Sequence, residues 1–452
     1  MTIRTLSPDE LTRIHRRAEL SRRKFLKTIG AAALMYAGQR SLPAAMAQST
    51  TLKVWAASGQ RWEFANRGIA PLFEKANPGV KVEVTGTPIS NYGAKVAAAM
   101  AAGASQWDII QLDYAQLPQF GAANWVHPLD DWIKADPKYQ ASLSDIPPRV
   151  LALYNFKGMQ YGVPADSNAM MTYYRADVLS KYGMKPPATW EDAISIAKEL
   201  HGKGTKQYGY VGSLGRGLFA YLGFLPVIWS YGGEIWDEKT FEVKVDKGDA
   251  GFKALTVLRE LVKYGDPVSV NGSDDEVNSS MASGTSVMAP SGWGNSVMTN
   301  KNFSKYWDVI KTTIVPSGVA GRHVPAMGGL GHMVVEKSQH KDVAWQYVKF
   351  VTGPDPNVGK AWVMQTGQPA RLSLLLNPEL DKFQSYFPTL AQTLKIARRY
   401  GGGIPEAYAI GDVIGTDVSA VITGQMEIEP GLKKLGDSTY NFLKTSGYPA
   451  QR

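Results

Sequence analysis

Between Leu52 and Leu112 the chain alternates apolar runs with helical stretches, and this alternation restricts the fold more than any other feature. Residues 52–57 read as a buried strand, after which Ile69, Leu72, Phe73 and Ala76 recur at helical spacing until Asn77-Pro78-Gly79 ends the helix. Val80, Val82 and Val84 alternate with Lys81 and Glu83 in a second strand. A helix with Val96, Ala99 and Met100 on one face leads to a third strand at 108–112. A βαβαβ order predicts a parallel sheet with right-handed crossovers and a ligand at the carboxyl ends of its strands. Those ends are the loops 58–62, 86–92 and 113–116. None carries a glycine-rich phosphate fingerprint, which argues against a dinucleotide site.

The periodicity restarts after residues 161–174, Y-G-V-P-A-D-S-N-A-M-M-T-Y-Y. Gly162 and Pro164 favour an extended entry, Asp166, Ser167 and Asn168 place three short polar side chains in a row, and a largely apolar strand follows. Thr189 with Asp192 makes a capping-box start for a helix whose apolar face is Ala193, Ile196, Ala197 and Leu200. A second α/β unit therefore begins near Asp166. Further on, an apolar strand at 284–290 delivers Ser291-Gly292-Trp293-Gly294, and another at 312–315 reaches a Pro/Gly-rich segment, 316–325. Val413, Ile414, Val418, Val421 and Ile422 mark an amphipathic helix near the C-terminus.

A chain of 452 residues is long enough for two or three domains. Its N-terminus joins Ser21-Arg22-Arg23-Lys24-Phe25-Leu26-Lys27 to a mildly apolar stretch and Ala45-Met46-Ala47, the charged, apolar and small-residue regions of a cleaved signal. These parts resemble a twin-arginine export signal over residues 1–47. That segment holds nine Lys/Arg against three Asp/Glu, so its removal leaves 40 basic and 37 acidic residues, a charge near +3. The basicity is mostly a targeting feature and gives no support to a nucleic-acid groove. With no cysteine, disulfides, thiol chemistry and a lipid-modified N-terminus are excluded. The mature protein is expected to be free in the periplasm.

From Thr51 onward the chain resembles the extracellular solute-binding proteins of ABC importers, in the carbohydrate-binding branch that includes maltose-binding protein. The resemblance rests on L-K-V-W-A, F-E-K-A-N-P-G-V-K-V, D-I-I-Q-L-D, Y-G-V-P-A-D-S-N-A-M-M-T-Y-Y-R-A-D-V-L, S-Y-G-G, A-P-S-G-W-G, G-G-L-G-H-M-V-V and D-V-A-W-Q-Y-V-K-F-V, in that order. It implies an α/β fold of two lobes, each a mainly parallel sheet flanked by helices, joined by three hinge crossings around a ligand cleft. The lobes are expected at 50–165 plus 322–385 and at 166–321 plus 386–452. The crossings are expected at 161–174, at 316–322 and before Gly403-Ile404-Pro405. The implied partner is a pair of membrane permease subunits, the implied state a monomer.

A sugar site needs flat aromatic faces for the C–H side of a ring and short polar groups for its hydroxyls. Trp293, between two glycines at a strand end, is the expected stacking platform, with Trp62, Tyr92 and Trp229 as further aromatic candidates; each could equally be a core ring. Asp166 and Asn168 at the first crossing and Asp113 after the third strand are the polar candidates. Gly328 and Gly329 could offer backbone N–H groups, and Arg371 a lobe-bridging salt bridge or a ligand contact. No metal, cofactor or catalytic residue is expected, because G-x-S-x-G and H-E-x-x-H are absent and the six histidines are scattered. The expected ligand is a neutral sugar, oligosaccharide or polyol. A polyamine, or a glycerol phosphate held by arginines such as Arg322 and Arg371, remains open, as does a two-carboxylate glycosidase.

Overall fold

The computed structural model describes residues 50–452 apart from 59, 105, 204–206, 295 and 320. The export signal expected at 1–47 lies outside the described residues. The strands that organise the chain are β1 (Thr50–Ala57), β2 (Val80–Thr87), β3 (Ile109–Asp113), β4 (Gly162–Pro164), β5 (Asn168–Arg175), β6 (Met288–Trp293), β7 (Ile310–Thr313), β8 (Met327–Gly328) and β9 (Leu330–Val334).

The first sheet has the order β2-β1-β3-β9-β4. Its β1, β2 and β3 are parallel, as the βαβαβ pattern predicts, with Val54 opposite both Val84 and Ile109. The helix α1 (Ala65–Ala76) turns Ile69 and Phe73 onto this sheet. Strand β9 returns antiparallel between β3 and β4.

The second sheet differs from the expected mainly parallel one. Here β5 pairs antiparallel with β8, β6 and β7, and among the described residues parallel contacts are limited to isolated bridges such as Tyr208 with Ser286. The physical reason is direction of travel. Strand β5 carries the chain away from the first sheet, β8 brings it back, and β6 and β7 run from the far end of β5 toward the same edge. The helix α2 (Leu218–Ser230) is buried from Ala220 to Ser230 on every face, as an interior helix must be. It packs on α3 (Ala407–Ile422). The capping box at Thr189 forms, with Asp192 N–H donating to Thr189 Oγ1 at 3.1 Å and Thr189 N–H donating to the Asp192 carboxylate at 2.9 Å.

The expected second crossing at 316–322 is corrected. Ser317 N–H donates to Ala188 O at 2.9 Å, Val319 N–H to Ser230 O at 3.2 Å and Arg322 Nε to Trp229 O at 2.8 Å, so this proline-rich segment is docked on second-sheet elements. The chain passes between the sheets later, through β8 into β9. A third segment lies beside β8, where Met327 N–H donates to Arg398 O at 2.7 Å.

Candidate functional site

The crossing between β4 and β5 buries Asp166, Ser167 and Asn168 completely or nearly so. Asp166 Oδ2 accepts from Trp62 Nε1 at 3.0 Å and from Leu330 N–H at 3.4 Å. Trp62 is carried by a π-helical turn, Gln60–Phe64, a form frequent at functional sites. That turn is fixed from beneath. Asn66 Nδ2 donates to Trp62 O at 2.8 Å and to Gln111 Oε1 at 3.0 Å, while Asn66 Oδ1 meets His332 Nε2 at 2.9 Å and Tyr347 Oη at 3.1 Å. Burial pushes His332 down to about 3, so it is neutral at physiological pH and serves as a donor to Asn66.

Asp113 ends β3, at the carboxyl edge where the parallel order predicts a ligand. Its Oδ1 accepts from Ala115 N–H at 2.8 Å and its Oδ2 from Tyr400 Oη at 2.6 Å, with the Tyr408 phenol close by. Burial pushes its pKa up to about 6. The Tyr400 and Ala115 donors and the Tyr408 phenol pull the other way, and the nearby Asp166 charge adds to the rise. Two more phenols close the group: Tyr114 Oη donates to Met327 O and Tyr154 Oη to Gly329 O, each at 2.9 Å. Gly329 has φ 134°, and a Cβ there would lie 2.6 Å from Asp166 O, so only glycine fits.

Trp293 arrives at the same edge because β6 runs antiparallel to β5, opposite Met170. Its side is laid on β8: a Cβ on Gly328 would sit 2.8 Å from Trp293 Cζ3. The ring stands at 66° to Tyr400, centroids 6.4 Å apart, and the residue is 8% exposed. Asn168 Oδ1 approaches Gly294, and among the described residues it has no hydrogen-bond partner.

The fold thus gathers Trp62, Asp113, Asp166, Asn168, Trp293 and Gly329. Trp229 lies under Arg398 with Cζ 4.5 Å from its ring centre, in a hollow that it shares with Glu234, Trp236 and Tyr400, and Tyr400 is its link to Asp113 and Trp293. Two expected site residues are corrected. Tyr92 is 1% exposed, donates to Trp55 O at 2.7 Å and meets the Trp55 ring edge-on, which makes it part of the first-sheet core. Arg371, 4% exposed, donates to Thr352 O and Ser142 O at 2.9 and 2.7 Å and reaches Asp145 at 3.5 Å. Its described partners tie helices together around the first sheet. Tyr114, Tyr154, Tyr400 and Tyr408 escaped the sequence reading. For Tyr400 a signal existed, its place before Gly401-Gly402-Gly403 at the third crossing; the others carried none. A hollow lined by Ile133, Leu143, Ile146 and Leu151 lies elsewhere on the first lobe and holds none of these residues. Among the described residues no group of three His, Asp or Glu is placed to hold a metal, and no helix is long and apolar enough to cross a membrane.

The family model for bacterial extracellular solute-binding proteins matches residues 56–358. The mannitol-binding protein of Pseudomonas aeruginosa is 22% identical over 400 residues, covering 84% of this chain and 90% of its own length. A probable amino-acid ABC transporter periplasmic-binding protein of Sinorhizobium fredii is 25% identical over 454 residues, covering 95% and 99%. Among solved structures, the ribitol complex of an ABC transporter solute-binding protein from Agrobacterium radiobacter K84 superposes with a TM-score of 0.78 at 22% identity, over 87% of this chain and 99% of that one. That likeness establishes the two-lobed fold. With a family match over two thirds of its length and a shared architecture, the chain belongs to the bacterial extracellular solute-binding proteins.

Proposed function

We propose that this protein captures a neutral sugar, oligosaccharide or polyol between its lobes and delivers it to the permease subunits of an ABC importer. The observation that carries the reading is the meeting of two carboxylates, Asp113 and Asp166, with the Trp62 and Trp293 rings at the crossings. Carboxylates accept from ligand hydroxyls, and a ring face covers apolar C–H groups. The mannitol-binding relative and the ribitol complex support a polyol in particular. A glycerol phosphate loses ground, because Arg371 is spent inside the first lobe and Arg322 on Trp229 O. A polyamine is favoured by one observation, the paired acidic groups themselves.

On this reading the lobes comprise 50–165 with about 326–385, and 166–325 with 386–452, and hinge bending closes them on the ligand. The protein works by capture, without turnover, as a periplasmic monomer exported folded by the twin-arginine route. A thermal-shift panel of sugars, polyols, polyamines and glycerol phosphate on the mature chain tests it. At about 100 times Kd a ligand adds roughly 2.7 kcal/mol, on the order of 5–10 °C for lobes of this size. A sugar or polyol should give that shift. Polyamines alone would transfer the site to the second reading, and a silent panel would overturn the proposal.

A further inference from the structure

Three separate segments meet at one carboxylate. Asp113 ends β3 of the first sheet, Tyr400 belongs to the third crossing, and Tyr408 lies in the first turn of α3, which packs on α2. The Tyr400 hydroxyl is 2.6 Å from Asp113 Oδ2, and the Tyr408 phenol lies near enough to favour the charged form of the carboxylate. The remaining groups that face Asp113 are Asp166, whose charge opposes ionisation, and the phenols of Tyr114 and Tyr154. Those two phenols donate to the carbonyls of Met327 and Gly329. Among the described residues, Tyr400 is the side-chain donor to this carboxylate and Ala115 N–H its backbone donor, with Tyr408 close by.

We propose that Tyr400 is a positioning residue for solute capture, the donor that fixes the Asp113 carboxylate as an acceptor for a ligand hydroxyl, with the Tyr408 phenol as its support. The inference rests on the reading that Asp113 faces the solute. Its logic is electrostatic. An enclosed carboxylate beside a second one is driven toward its protonated form. A protonated acid offers one acceptor fewer to the ligand. The Tyr400 donor counters this from the third crossing, with Tyr408 of α3 beside it, so the acceptor strength of a first-sheet residue is set by groups at least 287 positions further along the chain. Movement of the third crossing and the charge on Asp113 are thereby linked.

The sign follows directly. Asp113 titrates near 6 in the intact protein, and binding through its ionised form strengthens as pH rises through that value. Loss of either phenolic hydroxyl removes support for the ionised form and moves the midpoint upward, by roughly half to one pH unit.

The experiment compares wild type with Y400F, Y408F and D113N in two measurements. The first is the Asp113 titration in ligand-free protein by carboxyl carbon NMR, with D113N assigning the signal. The second is Kd for D-mannitol between pH 5 and 8. Both Phe variants should raise the midpoint; for a one-unit shift they bind about fivefold more weakly than wild type at pH 6, and the gap closes by pH 8. D113N should flatten the pH profile. A ligand-free midpoint unchanged in both Phe variants overturns the proposal, as does an affinity loss that is equal at every pH, which marks a merely structural role. Failure of wild type to bind D-mannitol strikes the functional reading instead, and the ligand-free titration still decides this one. Should Y400F not fold, Y408F carries both measurements.

Discussion

The two sheets reach the same cleft by different routes. In the first, parallel strands joined by helical crossovers present their carboxyl ends, so Asp113 closes β3 and Trp62 sits in the turn after β1. In the second, an outgoing strand and a returning one are paired, so the cleft edge receives the amino end of β5, with Asn168, and the carboxyl end of β6, with Trp293. The rule that ligands lie at strand carboxyl ends therefore predicts the first sheet's contribution and only half of the second's. The contributions differ in kind as well. Polar groups near the first sheet are locked by hydrogen bonds, whereas Trp293 is held by contact with Gly328 and the edge of Tyr400.

This contrast makes the first lobe's interior and its cleft edge separable. The largest expected effect is on stability: Arg371→Ala strips a buried cation from Ser142, Thr352 and Asp145 and should cost about 3 kcal/mol or more. Chemical denaturation would register it, and a Kd for D-mannitol that moved in step would join interior and site after all. Asp166→Asn removes the charge that Trp62 and Leu330 donate to. Hydrogen bonds to charged groups contribute about 1.5–3 kcal/mol, so calorimetry should find affinity weaker by roughly 10- to 100-fold. Trp293→Ala tests the second sheet, where loss of a stacking face of about 1–2 kcal/mol should weaken binding around tenfold with an unchanged circular dichroism spectrum. An effect larger than that of Asp166→Asn would reverse the assignment of polar anchor and apolar face. The smallest is Tyr92→Phe, which deletes the bond to Trp55 O and should lower stability by about 1 kcal/mol while leaving Kd unchanged.

What could be read from the chain follows the range of the forces involved. The βαβαβ unit was legible because strand and helix periods are local, and Thr189 with Asp192 announced its own cap. Direction in the second sheet was not, because a strand's apolar pattern is the same whichever way its neighbour runs. Segment 316–322 looked like a linker by composition, yet hydrogen bonds to Ala188, Ser230 and Trp229 dock it. Tyr92 and Trp62 both follow first-sheet strands. What separates them is that Tyr92 finds Trp55 O while Trp62 reaches Asp166, more than 100 residues away in sequence. The phenols at Asp113 were hidden for the same reason, since Tyr400 lies 287 positions from the carboxylate that it serves.

The pairing of β5 with β8, and of β8 with the segment at Arg398, has a mechanical consequence. Three covalent links between two bodies could in principle act as three independent tethers, permitting twist, slide and bend. Here Met170 N–H reaches Ala326 O and Met327 N–H reaches Arg398 O, so the links are bonded edge to edge into one ply. Such a strip is compliant across its thickness and stiff in its plane. For the proposed closure this arrangement predicts one soft coordinate, as in two boards on a strap hinge, so dyes placed at the two tips should report a single distance that describes the whole motion.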